Sequence, residues 1–462
     1  IFDNLWQLSQ PDYSHKNFVD GPITSNDVFY ADSWHSLLVS ALGTGGQGYF
    51  ALDITNPAGF AESNAATIAR WEFTDQDDAD LGYSFSKPSL VRLANGKWGV
   101  IVGNGINSTE ADGNASSTGN GVIYILDAED GSIIKKLDTK VGNADDPKGL
   151  SRPNGIIGTS VVDADGDFIV DRVYGADLFG NVWAFDLSSS NINSWGTAYG
   201  SSGSPQPLFV AEVSGVAQPI TSDIKVKSHP TSEGFMVYFG TGQYLGKSDL
   251  IDSSQQTFYA IWDRDGNNIN GFDRSRLLEQ TITNYSAPAT DLRARVVSDT
   301  EIVWDDGSNP VDASEKLGWY IDLPESGERV QQPPTLRGGR VIFVTLTPAS
   351  DPCDGEGSSW LMEVDALNGG RLDESVFDFN KDRQFNDSDM INVGDLDGDG
   401  NDEYVHGSGI QRINAGILSR PGIVNHPDGR TESKYVTTSK GNLESILEDS
   451  GRNRQTPWRE IR

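Results

Sequence analysis

The sequence predicts an all-β fold: a β-propeller of seven blades, eight being the alternative, with calcium-binding loops built into its hairpins. Three observations lead there. The 462 residues carry 51 Gly, 20 Pro, 11 Trp and 14 Tyr and few helix-forming runs, which favours many short strands and turns. A strand-like segment recurs with turn signals between its copies, as in propellers, whose blades bury their faces only by stacking. Asp- and Gly-rich loops with calcium-ligand spacing sit between runs of β-branched and aromatic residues, not between helices.

Along the chain, Ile1 to about Ser33 has no clear period and is expected to cross the surface or complete a blade. The recurring segment is a Gly or small polar residue, a short apolar or aromatic run, an Asp and a turn. It begins at Gly48 (GYFALDI), Gly121 (GVIYILDAEDGS), Gly180 (GNVWAFDL), Gln256 (QTFYAIWDRDGN), Leu317 (LGWYIDLPESGE), Ser358 (SSWLMEVDALNGG) and, more weakly, Glu432 (ESKYVTTSKGNL). These seven copies stand roughly 41 to 76 residues apart, the longer gaps absorbing loop insertions. A β-branched run ending in Gly-x-Gly or a close variant accompanies several of them: WGVIVGNG from Trp98, RVYGADL from Arg172, MVYFGTG from Met236 and EYVHGSG from Glu403. Helix is expected only over Phe60–Trp71 and Asp273–Glu279. Residues 106–120 and 187–205 read as polar inserts. Asp75–Asp80 (DQDDAD) reads as a solvated acidic turn, an added cation site being the alternative. Residues 425–462 hold one more hairpin, suited to closing the ring, and a basic tail. The whole chain, 1–462, reads as one propeller domain. It starts with Ile and has no signal-like or transmembrane apolar run, so it is expected to be a piece of a longer protein.

The central stretch is Asp163–Asp171, DADGDFIVD. Carboxylates at loop positions 1, 3, 5 and 9 (Asp163, Asp165, Asp167, Asp171), with the backbone carbonyl of Ile169 at position 7, form the all-oxygen set a hard cation needs. Gly166 allows the tight turn that lets alternate side chains converge. The flanks GTSVV and RVYGADL read as strands, so this is an EF-hand-type loop inside a β-hairpin. Four acids so close repel one another unless a cation intervenes. A second loop repeats the pattern at Asp395, Asp397, Asp399 and Glu403, with Asn401 offering the carbonyl. A third, dockerin-like, has Asp378, Asn380, Asp382, Asn386 and Asp389 at positions 1, 3, 5, 9 and 12, with Arg383 where a turn glycine is usual. Asp263-Arg-Asp-Gly-Asn is a truncated match and reads as a hairpin turn.

Composition also narrows the partners. Lys and Arg number 35 against 67 Asp and Glu, a net charge of −32, which disfavours nucleic acid and anionic membranes and favours divalent cations. Catalytic signals are thin. Gly43–Gly48 fits G-x-G-x-x-G, but a strand follows it instead of the helix a pyrophosphate site needs. The five histidines lack metal-ligand spacing, no Gly-x-Ser-x-Gly elbow occurs, and the lone Cys353 shows no activating base. A non-enzymatic role is expected.

Longer runs resemble a known family. HKNFVDGPITSNDVFYADSWHSLLVSALGTGGQGYFALDITNP (His15–Pro57), DADLGYSFSKPSLVRLANGKWGVIVGNG (Asp78–Gly105), the first acidic loop with GADLFGNVWAFDL, SSWLMEVDALNGG and the terminal WREI resemble the C-terminal domain of PilY/PilC-type type IV pilus proteins across essentially the whole chain. The resemblance implies a modified seven-bladed propeller exported to the cell surface, associated with the pilus tip or outer membrane and with minor pilins. It implies roles in pilus extension and retraction, twitching motility, adhesion to host or abiotic surfaces, and regulation by Ca2+. The family's principal calcium loop maps onto Asp163, Asp165, Asp167 and Asp171, and a second onto Asp395, Asp397, Asp399 and Glu403, where Glu replaces the usual Asp. The variable N-terminal region of such proteins is absent, and no Arg-Gly-Asp tripeptide occurs. Two rival classes remain: a quinone-dependent dehydrogenase-like propeller, and an integrin- or lectin-like adhesive propeller whose calcium is purely structural.

Overall fold

A computed structural model describes residues 2–230, 233–264, 271–305, 314–349 and 357–450; Cys353, most of the DRDGN turn and the tail from residue 451 lie outside the described residues. The chain divides into two compact units, Ile1–Val210 and Ala211–Glu460.

In the first unit, β1 (Ile23–Tyr30), β2 (Ser33–Ala41), β3 (Gly48–Asp53) and β4 (Ala69–Thr74) form an antiparallel meander in that order. The plan repeats in β5 (Ser89–Leu93), β6 (Trp98–Gly103), β7 (Val122–Asp127) and β8 (Ile133–Asp138). A third sheet takes β9 (Ile156–Val162), then, beyond the two-residue β10 (Ile169–Val170), β11 (Arg172–Asp177), β12 (Asn181–Asp186) and β13 (Gly196–Thr197). β10 joins the second sheet instead, pairing in parallel with β5.

The reason for the recurring segment is visible in β7. Successive strand side chains point to opposite faces. Val122, Tyr124 and Leu126 enter the core shared with β2 and β3, while Ile123 and Ile125 enter the core shared with Trp183 and Phe185 of β12. A strand buried on both faces needs an unbroken apolar run. The Gly-x-Gly elements end where backbones meet: a Cβ at Gly105 (φ +72°) would lie 1.8 Å from the Tyr83 carbonyl oxygen.

The second unit holds a five-stranded sheet (Lys225–Ser228, Phe235–Gly240, Thr257–Asp263, Gly318–Asp322, Leu278–Gln280, in spatial order). Beside it are a six-stranded sheet (Ile282–Ser286, Leu292–Val297, Gly409–Arg412, Ser358–Asp365, Arg340–Thr347, Thr335–Arg337) and a three-stranded closing sheet (Gly422–Asn425, Thr431–Thr437, Leu443–Asp449). The closing sheet's strands Thr431–Thr437 and Leu443–Asp449 pair antiparallel as a hairpin within residues 425–462, the stretch read from sequence as a closing hairpin.

All seven copies of the segment are strands, but they do not map one to a sheet. The copies at Gln256 and Leu317 lie side by side, Thr257–Asp263 pairing antiparallel with Gly318–Asp322. Six sheets of three or more strands result among the described residues. The two expected helices are corrected. Only Ala65–Ile68 closes an α-helical turn; from Ala69 burial alternates, with Trp71 and Phe73 inward, and the period-two pattern wins. Arg274–Arg276 is a single 3-10 turn capped by Asp273, whose carboxylate accepts the Ser275 N–H at 2.8 Å. The DQDDAD turn is not simply solvated either: Lys136 Nζ stands 2.7 Å from both Asp78 and Asp80, supplying an internal cation.

Candidate metal centres

The Asp163–Asp171 loop joins β9 to β11, which pair antiparallel from Val162–Arg172 inward. The Asp395–Glu403 loop joins Ile391–Gly394 to Glu403–Val405 in the same way, Glu403 lying opposite Gly394 across a register shift. Both are hairpin loops, as the flanking β-branched residues imply.

Their interiors match group for group. The position 1 carboxylate (Asp163; Asp395) accepts the N–H of position 4 (Gly166; Gly398), 2.7 Å in both. It also accepts those of positions 5 and 6: Asp167 and Phe168 at 3.2 and 2.8 Å, Asp399 and Gly400 at 3.1 and 2.9 Å. Position 3 (Asp165; Asp397) accepts the N–H of position 5. Position 5 (Asp167; Asp399) accepts that of position 7, Ile169 or Asn401, 2.8 Å in each. Position 9 closes the loop: Asp171 Oδ2 accepts the Ala164 N–H at 2.7 Å, and Glu403 Oε2 the Leu396 N–H at 2.6 Å. The longer Glu403 side chain therefore reaches the same donor as Asp171.

The convergence can be tested against a calcium ion. Oxygen ligands at about 2.3–2.6 Å from one ion lie at most about 5 Å from one another. One oxygen from each of Asp395, Asp397, Asp399 and Glu403 falls within 4.8 Å of all the others, and so does one from each of Asp163, Asp165 and Asp171. Asp167 stands outside that group of three. The donor set fits a hard divalent cation in both loops, the second being the more fully assembled. Asp171 has its pKa raised by burial, then by the repulsion of Asp165, Asp167 and Asp163, the local cost of crowding acids.

The third loop keeps the backbone without the convergence. Asp382 and Arg383 donate their N–H groups to Asp378 at 3.0 and 2.9 Å, and Gln384 to Asp382 at 2.7 Å. Lys381 and Arg383 hold φ +65° and +63°, as Gly398 and Gly400 do at +79° and +91°. Yet Asp378, Asp382 and Asp389 do not gather among the described residues. Asp389 is buried and accepts the N–H groups of Phe379, Asn380 and Asn386. Asn380 donates its amide to Asp382 and Ser388, and Asn386 caps the Asp387–Asp389 turn.

One polar centre escapes sequence reading. Glu363, Glu432, Lys434 and Glu448 have fully buried side chains, with Arg340 2% exposed, between the six-stranded and closing sheets. Lys434 pairs with Glu363 and Glu448, and Arg340 meets Glu363 at 3.0 Å. The signal was parity: Glu432 and Lys434 share a strand face with the buried Val436.

Comparison with known proteins agrees with this architecture. The family model of the PilY1 beta-propeller domain matches residues 1–289. A type IV pilus biogenesis factor PilY1 homolog of Xylella fastidiosa is 39% identical over 381 residues, covering 80% of this chain and 24% of that protein. The type IV pilus biogenesis factor PilY1 of Pseudomonas aeruginosa PAO1 is 33% identical over 410 residues, covering 82% and 33%. The chain thus spans a quarter to a third of the length of these relatives. The crystal structure of the P. aeruginosa PilY1 C-terminal domain superimposes with a TM-score of 0.72 at 28% identity, over 93% of this chain and 84% of that one. With the family model covering well over half of its length, and strands meandering in small stacked sheets as a propeller requires, the chain belongs to the PilY1 β-propeller domain family.

Proposed function

We propose that the chain is the calcium-binding propeller of a type IV pilus biogenesis factor, exported to the cell surface and acting at the pilus tip with minor pilins. In this reading calcium occupancy regulates extension, retraction and twitching motility, and the domain contributes to adhesion on host or abiotic surfaces. Family membership supports the pilus role. The cation role is carried by one observation: two separate hairpin loops, built on the same hydrogen-bonding scaffold, gather acids within 4.8 Å, all four in the second and Asp163, Asp165 and Asp171 in the first.

Asp163, Asp165, Asp167, Asp171 and the Ile169 carbonyl would hold one calcium ion, and Asp395, Asp397, Asp399, Glu403 and the Asn401 carbonyl another; each ion supplies the positive charge its loop lacks. The chain translates that charge into order through β10. Ile169 and Val170 run straight from the loop into their pairing with Arg92 and Leu93, so fixing the loop bears on two sheets at once. Calcium at about a hundredfold its Kd adds about 2.7 kcal/mol to whatever it orders.

Calorimetric titration with calcium tests this beside Asp171→Ala and Glu403→Ala. Two sites are expected, each lost with its own variant while circular dichroism stays unchanged. The same variants should then alter piliation and twitching. Absence of calcium heat in the parent chain would overturn the cation reading and leave the pilus role standing on family membership.

A further inference from the structure

A cleft of about 710 Å³ opens in the second unit beside the closing sheet, within the ~300–1,000 Å³ range of binding pockets. Leu292, Ile410, Leu418, Val436 and Ile446 give it an apolar lining. The strand Leu443–Asp449 contributes Glu444 to Leu447, and the loop around Asp378 contributes Lys381 and Arg383.

That strand is the edge of its sheet. On one side it pairs with Thr431–Thr437. On the other, the Asp449 N–H donates to the Val376 carbonyl at 3.1 Å and Glu448 bridges Phe377; Leu443–Ile446 have no strand alongside among the described residues. Backbone groups of alternate residues point to opposite edges. Leu443 and Ser445 therefore turn their N–H and C=O groups the same way as Asp449, and among the described residues these groups meet no backbone partner. Sheet edges are usually blunted by charged side chains, proline or a bulge. This one has no lysine, proline or bulge, its glutamates Glu444 and Glu448 are engaged by Arg412 and Lys434, and Leu443 is 67% exposed.

Charge adds the second constraint. Lys381 is engaged by Asp291 at 2.5 Å, and Arg412 by Glu444. Asp378 and Asp428 also line the cleft, and the Arg383 side chain there makes no ion pair or side-chain hydrogen bond among the described residues.

We propose that the cleft takes an extended peptide strand of a partner protein, which adds a fourth strand to the closing sheet beside Leu443–Ser445 and sets a carboxylate against Arg383. Main-chain bonds to the open edge give such a strand its affinity, and the apolar lining selects its alternate side chains. The inference does not depend on calcium.

The probe is a fluorescein-labelled peptide, Val-Thr-Val-Thr-Val-Asp, added to the intact 462-residue chain and followed by anisotropy. Saturable binding is expected. N-methylation of the peptide backbone at alternate residues of one parity should weaken it about tenfold per lost bond, and of the other parity not at all. Amide exchange should slow at Leu443 and Ser445 but not at Glu444 or Ile446, which already face their neighbour strand. Arg383→Ala should weaken the Asp-ended peptide about two- to fivefold and leave an Asn-ended peptide unchanged. No binding at about 1 mM peptide, indifference to N-methylation of both parities, or protection away from Leu443 and Ser445 would each overturn strand addition. An equal effect of Arg383→Ala on both peptides would overturn the carboxylate contact.

Discussion

His229 sits in an aromatic slot, stacked on Trp262 with ring centroids 4.5 Å apart and edge-on to Trp304 at 4.6 Å. Burial lowers its pKa from 6.5 to about 4. The unfolded chain therefore takes up this proton near pH 6.5 and the folded chain only near pH 4. Its contribution to stability is full above 6.5 and declines as the pH falls through that window. Urea midpoints measured at pH 7 and 4.5 should differ in that direction, and His229→Phe, which keeps a ring between the tryptophans, should flatten part of the decline. An unchanged decline would assign it to other groups. Single residues also show where a rule bends. Phe168 holds φ +67° with 84% of its surface exposed, at the loop position that Gly400 fills in the second loop. A non-glycine residue there costs about 1–2 kcal/mol, which the three N–H groups converging on Asp163 offset.

Among the elements, the closing sheet is joined to its neighbour by charge as much as by apolar contact. Lys434 lies between Glu363 and Glu448, all three side chains fully buried. Removing one member of a buried ionic group leaves its partners uncompensated and costs about 3–5 kcal/mol. Lys434→Met should therefore lower the urea midpoint sharply, whereas Lys440→Met, on the exposed turn beyond the same strand, should leave it nearly unchanged. Equal midpoints for both variants would remove the ionic group from the account of this interface. Most of the strands were legible because a strand buried on both faces needs an unbroken apolar run between turn signals, as in Val122–Asp127 and Thr257–Asp263; only the faint copy at Glu432 shows buried and exposed residues alternating. Their grouping was not. Thr257–Asp263 and Gly318–Asp322 read as two repeats, and only backbone pairing shows that they share a sheet. The loops were legible as ligand spacing because Asp163 and Asp395 begin the same sequence of turns. Spacing could not reveal that Asp389 is buried capping three N–H groups, because capping uses the same residue types as ligation. Nor could it foresee Lys136 between Asp78 and Asp80, brought there from a different strand.

For the molecule as a whole, the net charge of −32 is the largest electrostatic fact. Like charges repel most at low ionic strength, where the Debye length is about 30 Å at 0.01 M against about 8 Å at 0.15 M. The melting temperature should therefore rise with sodium chloride over that range, measured in chelator so that divalent ions play no part. A flat or falling profile would mean that internal cations such as Lys136, Arg340 and Lys434 already balance the surplus acid locally. No helix among the described residues is long and apolar enough to cross a membrane.

The pairing of Ile169–Val170 with Arg92–Leu93 skips over β6 to β9. Contacts of such sequence separation form late, because the intervening chain must first be closed into place. An unfolded chain carries the acids of the Asp163–Asp171 loop without its frame, whatever the ions around it. The ligands themselves lie within nine residues of one another, so whatever the loop captures also grips one end of a pairing that reaches back some seventy residues along the chain.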